Sequence, residues 1–393
     1  MDALGAVKLR DLSLGYEGRD NLASITDLAT PANSEAFTYT PRESLAGAVG
    51  PYGTLGFTYD GVGNRITYTS AAGVDLYAYP PGSNRLSAIT LAAGGARAFT
   101  YDAAGNTTFD DRTGGAYGYS YNAAGRMFEF RINGFLQASY KYDALGRQAI
   151  RSLTSPSPVT IHSVFDSDGR RIAEYNEATG ALLREYIWNG WDPVALIEGG
   201  TVYYVRTDHI ARPVFATTPT GAKVWEATYT PFGGVHTSSG NLPANRFPGQ
   251  WFQTESGLHQ NWMRDYDPTT GRYLEPDPLG LVDGASVYGY VKGNPGRWID
   301  PTGEQSISDI AEITLCLMLP GSCGRDDFPN SSIDKPEYSQ CSGNEEERCE
   351  IIRDICHRNC VNYFVEGPFP GKDQFAGYRK CMKSCMEGYD CEF

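Results

Sequence analysis

Tyr101-Asp-Ala-Ala-Gly-Asn106 is a short pattern that this sequence repeats with small variations. A tyrosine is followed by a carboxylate or amide residue, two further residues, a glycine and a polar residue. The related copies are Tyr16-Glu-Gly-Arg-Asp-Asn21, Tyr59-Asp-Gly-Val-Gly-Asn64, Tyr121-Asn-Ala-Ala-Gly-Arg126, Tyr142-Asp-Ala-Leu-Gly-Arg147 and Phe165-Asp-Ser-Asp-Gly-Arg170. With Tyr39 and Tyr79 in register between them, successive aromatic residues are 23, 20, 20, 22, 20, 21 and 23 positions apart. Such a constant step predicts a repeat architecture.

Each copy of the pattern predicts a β-hairpin. Strand-forming residues such as Phe99-Thr100-Tyr101 lead into the turn, the Asp or Asn caps it through its side chain, and the glycine supplies positive φ. One hairpin cannot bury both of its faces, so we expect the hairpins to stack edge to edge into a long sheet. Tyrosine suits a half-buried strand position, with its ring packed and its hydroxyl in water. The predicted fold is therefore mainly β, with stacked hairpins that form a partial shell.

Composition and charge narrow the class of protein. The chain has 26 Tyr, 45 Gly and 23 Pro, and its formal net charge of −14 argues against nonspecific binding of nucleic acid. It has no run of 18 apolar residues, so no membrane-spanning segment is predicted. Residues 1–8 do not form an ordinary signal peptide, so we expect any export to use another route. Because repeats begin near Leu12, we also expect the chain to be the C-terminal part of a longer array.

A change of composition near residue 304 separates two kinds of segment. All nine cysteines follow it, at positions 316, 323, 341, 349, 356, 360, 381, 385 and 391. That density is typical of a small domain stapled by disulfides, which folds in an oxidising compartment. We therefore predict a small, disulfide-rich α-helical domain over residues 304–393.

Four of these cysteines suggest a pairing. Cys356 and Cys360 lie one turn apart on a predicted helix, and Cys381 and Cys385 lie one turn apart on a second. Two antiparallel helices with this spacing accommodate two parallel bridges, and we predict Cys356–Cys385 and Cys360–Cys381. The alternative is a zinc site that includes His357, which is disfavoured because Cys356 and His357 are adjacent on the helix. No metal and no cofactor is predicted.

The segment before the cysteine-rich tail carries several specific motifs. They are Tyr229-Thr-Pro231-Phe232-Gly233, Pro248-Gly249-Gln250-Trp251, Glu255-Ser256-Gly257-Leu258-His259, Arg264-Asp-Tyr266-Asp267-Pro268, Asp277-Pro278-Leu279-Gly280-Leu281 and Asp300-Pro301-Thr302-Gly303. Together and in this order they closely resemble the core module of the RHS (rearrangement hotspot, YD-repeat) family. The tyrosine repeats upstream resemble the YD repeats of the same family, so that the resemblance covers about residues 10–303.

The resemblance implies a division into three parts. Residues 1–184 would be the YD-repeat hairpin array, residues 185–303 the RHS core module that caps it, and residues 304–393 the variable C-terminal domain. RHS proteins are secreted or lie at the cell surface, and their C-terminal domain is often a toxin used against competitors or hosts. In that family the core can act as an intramolecular aspartyl protease that frees this domain.

The carry-over of catalytic residues is limited to two positions. Asp277 and Asp300 match the acidic residues that the family ties to self-cleavage, and the cut is expected next to Glu304. Two carboxyls brought together share one proton, so one can activate water while the other assists the carbonyl. The family's motif usually continues with Leu, and Glu304 in its place sets a charge beside the pair, which disfavours cleavage. The alternative is turn chemistry alone, because Asp-Pro-x-Gly commonly begins a turn.

The other polar residues of this segment have structural interpretations. Asp267 is assigned to a turn. Arg264 and Arg272 either orient the two carboxylates or pair with them at the surface, and surface pairing is favoured. His209, His236 and His259 have no ligand spacing, so they are assigned to packing or to the surface rather than to a metal site.

The predicted function is that of an RHS-type secreted or cell-surface protein that carries a variable effector or toxin-like domain. Its partners would be a cognate immunity protein and a component or carbohydrate of the target cell. The alternative is a non-enzymatic adhesion protein, in which the array binds carbohydrate and the tail is a disulfide-stabilised knob. The tail itself shows no motif that specifies a reaction.

Overall fold

The structure is a computed structural model, and it describes residues 8–155, 157–241 and 243–307. All of these lie in Met1–Cys323, the first of the two units into which the chain divides. The predicted cysteine-rich helical domain lies outside the described residues, apart from 304–307. Within the described ranges the secondary structure is strands and two short 3-10 helices, Pro31–Asn33 and Val291–Gly293, so the mainly β prediction is confirmed.

One antiparallel sheet contains the first 22 strands of the described chain, and each strand pairs with its neighbours in sequence. The strands are β1 (Leu12–Tyr16), β2 (Leu22–Asp27), β3 (Glu35–Tyr39), β4 (Leu45–Gly50), β5 (Gly53–Tyr59), β6 (Arg65–Ser70), β7 (Gly73–Ala78), β8 (Ala88–Thr90), β9 (Ala96–Tyr101), β10 (Thr107–Arg112), β11 (Gly115–Tyr121), β12 (Met127–Ile132), β13 (Phe135–Tyr142), β14 (Gln148–Leu153), β15 (Val159–Phe165), β16 (Arg171–Asn176), β17 (Leu182–Asn189), β18 (Asp192–Glu198), β19 (Thr201–Thr207), β20 (Pro213–Thr217), β21 (Lys223–Tyr229) and β22 (Val235–Gly240).

The repeated turn has the geometry that the sequence predicts. In the turn between β13 and β14, Asp143 Oδ1 accepts hydrogen bonds of 2.9 Å from the backbone N–H groups of Leu145 and Arg147. Gly146 has φ of +76°, which a residue with a side chain rarely adopts. The turns at Asp60, Asn122, Asp166 and Asp208 repeat these bonds.

The prediction that the repeat tyrosines keep their hydroxyls in water is wrong for all of them except Tyr16, which is 57% exposed. The Tyr142 hydroxyl donates to the carbonyl of Met127 at 2.6 Å, and the Tyr121 hydroxyl donates to Thr107 at 2.8 Å. Five other tyrosines make the same bond to a backbone carbonyl 14 to 17 positions earlier: Tyr39, Tyr59, Tyr79, Tyr101 and Tyr229. These tyrosines therefore connect their hairpins to the preceding ones. The constant spacing of the tyrosines in the sequence follows from that contact.

Residues 243–307, here called the closing segment, form a second, four-stranded antiparallel sheet. Its strands are β23 (Trp251–Phe252), β24 (His259–Asn261), β25 (Arg264–Asp267) and β26 (Arg272–Tyr273). The aromatic rings of Phe247, Tyr266 and Tyr290 form a core with Tyr273 and Ile299, and Ile210 from the turn between β19 and β20 also lies in it.

The closing segment packs along the turn ends of the hairpins in the large sheet. Hydrogen bonds join Asn294 to Asn21, Arg272 to Asn64, Tyr288 to Gly105, Arg126 to Met263 and Trp262 to Leu145. Apolar residues complete the junction, because Leu258 and Leu274 lie in one core with Phe130 and Met127 of β12. Residues up to 155 positions apart therefore share this core, which runs from Tyr119 to Leu274.

The segment boundaries can be placed on these elements. The proposed boundary between array and core module, 184/185, falls within β17, so part of that module contributes strands to the large sheet. After the boundary at 303/304 the chain still pairs with the closing segment, since Ile299 and Ile307 exchange backbone hydrogen bonds of 3.0 and 2.8 Å. No helix among the described residues is long and apolar enough to cross a membrane.

Candidate functional site

The structure brings Asp277 and Asp300 together on one buried guanidinium. Arg264 Nη2 lies 2.9 Å from Asp277 Oδ2 and 3.1 Å from Asp300 Oδ2. The three side chains are at most 3% exposed, so the two carboxylates and the cation are shielded from water. Arg264 is placed by β25, and its guanidinium lies 3.7 Å from the centre of the Tyr273 ring on β26.

Asp300 is held in place from several sides. The Tyr273 hydroxyl donates to Asp300 Oδ2 at 2.7 Å, and Asn261 Nδ2 donates to the Asp300 carbonyl at 2.8 Å. Asp277 is fixed more simply, because its Oδ1 accepts the backbone N–H of Leu279 at 2.8 Å. That last bond is the turn chemistry expected for Asp-Pro-x-Gly, so the turn and the carboxylate contact coexist at Asp277.

The chain around Glu304 lies directly on this cluster. The backbone N–H groups of Glu304 and Gln305 donate to Asp300 Oδ1 at 3.0 and 3.2 Å. On the other side of the same turn, Arg264 Nε donates to the Gly303 carbonyl at 2.5 Å. The two peptide bonds that flank Glu304 are therefore fixed between a buried carboxylate and a buried cation.

Burial shifts the protonation of two carboxyls at the site. It raises the pKa of Asp277 above its ordinary value, although the nearby Arg264 acts in the opposite direction. It also raises the pKa of the half-buried Glu304, and the negative charge of Asp300 adds to that effect. A carboxyl that keeps its proton to higher pH is suited to donate it in acid–base chemistry.

The prediction that Arg264 and Arg272 pair with carboxylates at the surface is wrong, because both arginines are buried. Arg264 is the cation that orients the two carboxylates, which was the disfavoured alternative. Among the described residues, Arg272 makes no carboxylate contact. It donates to Asn64 Oδ1 at 3.1 Å and lies against the rings of Tyr79 and Tyr288, so it joins the closing segment to the large sheet.

Sequence reasoning missed a second buried carboxyl pair close by. Asp265 on β25 and Glu275 after β26 are 4% and 3% exposed, and the Asp265 backbone N–H donates to Glu275 Oε2 at 2.8 Å. Burial raises the pKa of Asp265 to about 7, and burial together with the charge of Asp265 raises the pKa of Glu275 well above its ordinary value. The sequence signal for this pair was the Arg-Asp-x-Asp run of β25. From the sequence alone this run predicts a polar turn, and only its burial in the structure indicates a carboxyl pair.

Asp267 is more than the turn residue that the sequence suggested. Its Oδ1 accepts the Thr269 backbone N–H at 2.9 Å, as a turn cap would. Its Oδ2, however, lies 2.6 Å from Arg97 Nη2 and 3.0 Å from Arg112 Nη2, and both arginines also bind Asp110. Asp267 therefore links the closing segment to β9 and β10 through a buried four-residue charge network.

The histidines occupy structural positions. His259 is 1% exposed and its Nδ1 lies 2.7 Å from Gln250 Oε1, and burial lowers its pKa well below the ordinary value. His209 Nε2 lies 2.9 Å from the Gly296 carbonyl, while His236 is exposed on β22. Among the described residues no group of three or more His, Cys, Asp or Glu side chains is arranged to hold a metal ion.

The fold and the order of these motifs agree with one known family. The family model described as Teneurin YD-shell matches residues 3–284. The chain belongs to this family. The resemblance to RHS/YD-repeat proteins is thereby confirmed, and the large sheet is its YD shell.

Two bacterial relatives illustrate the similarity. The chain is 26% identical over 322 residues to the double-stranded DNA deaminase toxin A of Burkholderia cenocepacia (strain H111). The alignment covers 63% of this chain and 22% of that protein. It is 29% identical over 225 residues to the probable deoxyribonuclease RhsA of Dickeya dadantii (strain 3937), which covers 55% of this chain and 15% of that protein. The chain thus spans less than a quarter of the length of either relative.

Solved structures share the fold. The crystal structure of TcdB2-TccC3-TEV matches this chain with a TM-score of 0.60 and 20% sequence identity. The match covers 75% of this chain and 17% of the chain in that structure. The Photorhabdus luminescens Tc holotoxin pore has a TM-score of 0.54 at 20% identity and covers 78% of this chain and 17% of that chain.

Proposed function

We propose that this YD-shell protein is an RHS-type secreted or cell-surface protein that carries the chain from Glu304 onward as a toxin-like effector. The names of its relatives support this proposal. One is a deaminase toxin, one a probable deoxyribonuclease, and a third, 36% identical over 104 residues, is the toxin protein Tse5 of Pseudomonas aeruginosa. If the C-terminal effector varies while the YD shell stays similar, relatives with similar shells are expected to have different activities. A toxin of this kind requires a cognate immunity protein in the producing cell.

We further propose that the effector is released by intramolecular hydrolysis next to Glu304, with Asp277 and Asp300 as the acidic pair. The observation that carries this proposal is the placement of the Glu304 turn on the cluster. Asp300 Oδ1 accepts the N–H groups on both sides of Glu304, and Arg264 holds the Gly303 carbonyl while it contacts both carboxylates. The bond to be cut is thus held beside a carboxyl pair without any substrate-binding step.

The step consumes one water molecule. The ionised carboxylate of the pair takes a proton from water as the oxygen attacks the carbonyl carbon, and the C–N bond then breaks. Asp300 is that carboxylate: the leaving nitrogen lies on its Oδ1, and it returns to this nitrogen the proton taken from water. Arg264 stabilises negative charge during this step, because a preorganised cation in a buried site acts at full strength on a developing oxyanion.

Intact-mass measurement tests the cleavage. Purified full-length chain incubated over a range of pH is expected to release a fragment of about 10 kDa from the 43.0 kDa chain, and the fragment mass identifies the bond beside Glu304 that is cut. Asp277→Asn or Asp300→Asn should abolish the release, because an amide cannot carry the shared proton. Cleavage that survives in both variants would contradict the aspartyl mechanism.

Growth of a bacterial host tests the effector. Full-length chain expressed in the cytosol or directed to the periplasm is expected to slow growth in at least one compartment. Co-expression of the small protein encoded directly downstream should restore it. Unchanged growth in both compartments would favour the non-enzymatic adhesion protein.

A further inference from the structure

Glu304 lies in the most acidic part of the closing segment. Its backbone N–H is bound to Asp300, Asp277 shares the Arg264 cation with Asp300, and Asp283 accepts a hydrogen bond from the Ser306 hydroxyl. Four carboxyls are thus gathered around the peptide bonds beside Glu304.

Few cations oppose them. Arg264 is already shared between two carboxylates, and Lys292 lies 3.7 Å from Asp283 and is half exposed. Arg126 is directed to the Met263 carbonyl, although its charge reaches Glu304 at longer range. An ionised Glu304 therefore adds a negative charge for which the described residues provide no direct ion pair.

We propose that Glu304 is a pH gate on self-cleavage: its ionised side chain holds the reaction back at neutral pH, and its protonation in an acidic compartment releases it. This inference rests on the proposed hydrolysis beside Glu304. The gate depends on Glu304, which occupies a position where the family usually has Leu.

The physical reason is the charge of the transition state. Hydrolysis develops a negative oxygen at the carbonyl under attack, and Glu304 contributes to both candidate bonds, since it supplies the nitrogen of one and the carbonyl of the other. The negative charge of an ionised Glu304 repels that oxygen, and the repulsion is stronger where water is partly excluded. A protonated carboxyl removes the charge and approximates the apolar side chain found in the family.

The direction of protonation at the site agrees with this gate. Burial, and then the charge of Asp300, raise the pKa of Glu304, so it takes up its proton at a milder acidity than a free glutamate does. Burial also raises the pKa of Asp277 and of Asp283. Since the carboxyl pair itself depends on pH, the gate must be measured as a difference between wild type and a variant that has no ionisable group at position 304.

The experiment measures the rate of fragment release from the full-length chain between pH 4.5 and 8.5, by intact mass, for wild type, Glu304→Leu and Glu304→Gln. Thermal unfolding of each protein checks that the fold is retained. We expect both variants to be cut roughly tenfold or more faster than wild type at pH 8. The difference should shrink to less than about twofold at pH 4.5, where more than half of Glu304 is protonated because its pKa is raised. Asp111→Asn, which removes an exposed charge on β10, should follow wild type at every pH.

The outcomes separate the gate from the reaction. Equal rates for wild type and Glu304→Leu at pH 8 would overturn the gate and leave self-cleavage standing. A rate ratio that does not change with pH would also overturn it, because the effect would then be one of shape rather than charge. If Glu304→Leu is not cut at any pH while it remains folded, the proposed hydrolysis fails, and the gate fails with it.

Discussion

Replacing Asp267 by Asn is expected to destabilise the protein by about 3–5 kcal/mol, which is the usual cost of removing one partner from a buried ion pair. Asp267 is the only acidic residue of the closing segment, among the described residues, that binds both Arg97 and Arg112. Without its charge, two buried guanidinium groups share the single carboxylate of Asp110. Urea denaturation of the full chain, followed by tryptophan fluorescence, measures the loss.

The matched control is Asp111→Asn. Asp111 follows Asp110 on β10, but it is exposed and points to the other face of the strand, so its substitution should change the free energy of unfolding by less than about 0.5 kcal/mol. A loss below about 1 kcal/mol for Asp267→Asn would show that the network contributes little to holding the closing segment on the shell.

Acidification should reduce the difference in the free energy of unfolding between wild type and Asp267→Asn. Burial alone would raise the pKa of Asp267, but Arg112 and Arg97 hold it below its usual range. A carboxylate with a lowered pKa stabilises the folded state above its unfolded pKa of about 3.9, and this stabilisation is lost as the pH falls through the folded pKa. The difference between wild type and Asp267→Asn should therefore be constant from pH 5 to 8 and decrease below about pH 4.

The sequence predicted the large sheet because its signal is local. The constant step, the capping Asp143 and the positive φ of Gly146 all lie within one turn, and each follows from the preferences of a single residue type. The partner of the Tyr142 hydroxyl could not be predicted in the same way. It is the Met127 carbonyl of the preceding hairpin, and its position depends on the strand register and on the bulge between Lys141 and Tyr142.

The candidate site was predicted only where a motif carried it. Asp277 and Asp300 were found through the two Asp-Pro-x-Gly segments, and the structure brings both onto Arg264. Arg264 itself was assigned to the surface, since isolated charged residues are rarely buried. Its burial depends on contacts with Asp277, Asp300 and the Tyr273 ring elsewhere in the closing segment, which no local pattern of β25 encodes.

The second large effect concerns the buried pair of Asp265 and Glu275, which should make the folded protein less stable as the pH rises. Burial raises the pKa of Asp265 to about 7 and raises that of Glu275 well above its ordinary value. A carboxyl whose folded pKa is raised contributes full stability below its unfolded pKa, near 4, and that contribution is lost as the pH rises through the folded pKa. The slope is about 1.4 kcal/mol per pH unit for each proton that the folded state retains.

Asp265→Asn should remove much of this slope, because the amide stays neutral and no longer repels Glu275. We expect the variant and wild type to have similar free energies of unfolding near pH 4, and the variant to be more stable by about 1–4 kcal/mol at pH 8. Urea denaturation at pH 4, 6 and 8 measures the difference, and Asp111→Asn serves again as the control for loss of an exposed charge.

A variant that is less stable than wild type at pH 8 would contradict the assignment. It would mean that the pair is ionised and stabilised by Arg126, whose charge acts to lower the pKa of Asp265. The unpartnered oxygens Asp265 Oδ1 and Glu275 Oε1 argue against that outcome, because a buried carboxylate needs hydrogen-bond donors on both oxygens to remain charged. A neutral carboxyl needs fewer donors than a carboxylate, and for that reason we expect the uncharged pair to be the stable form.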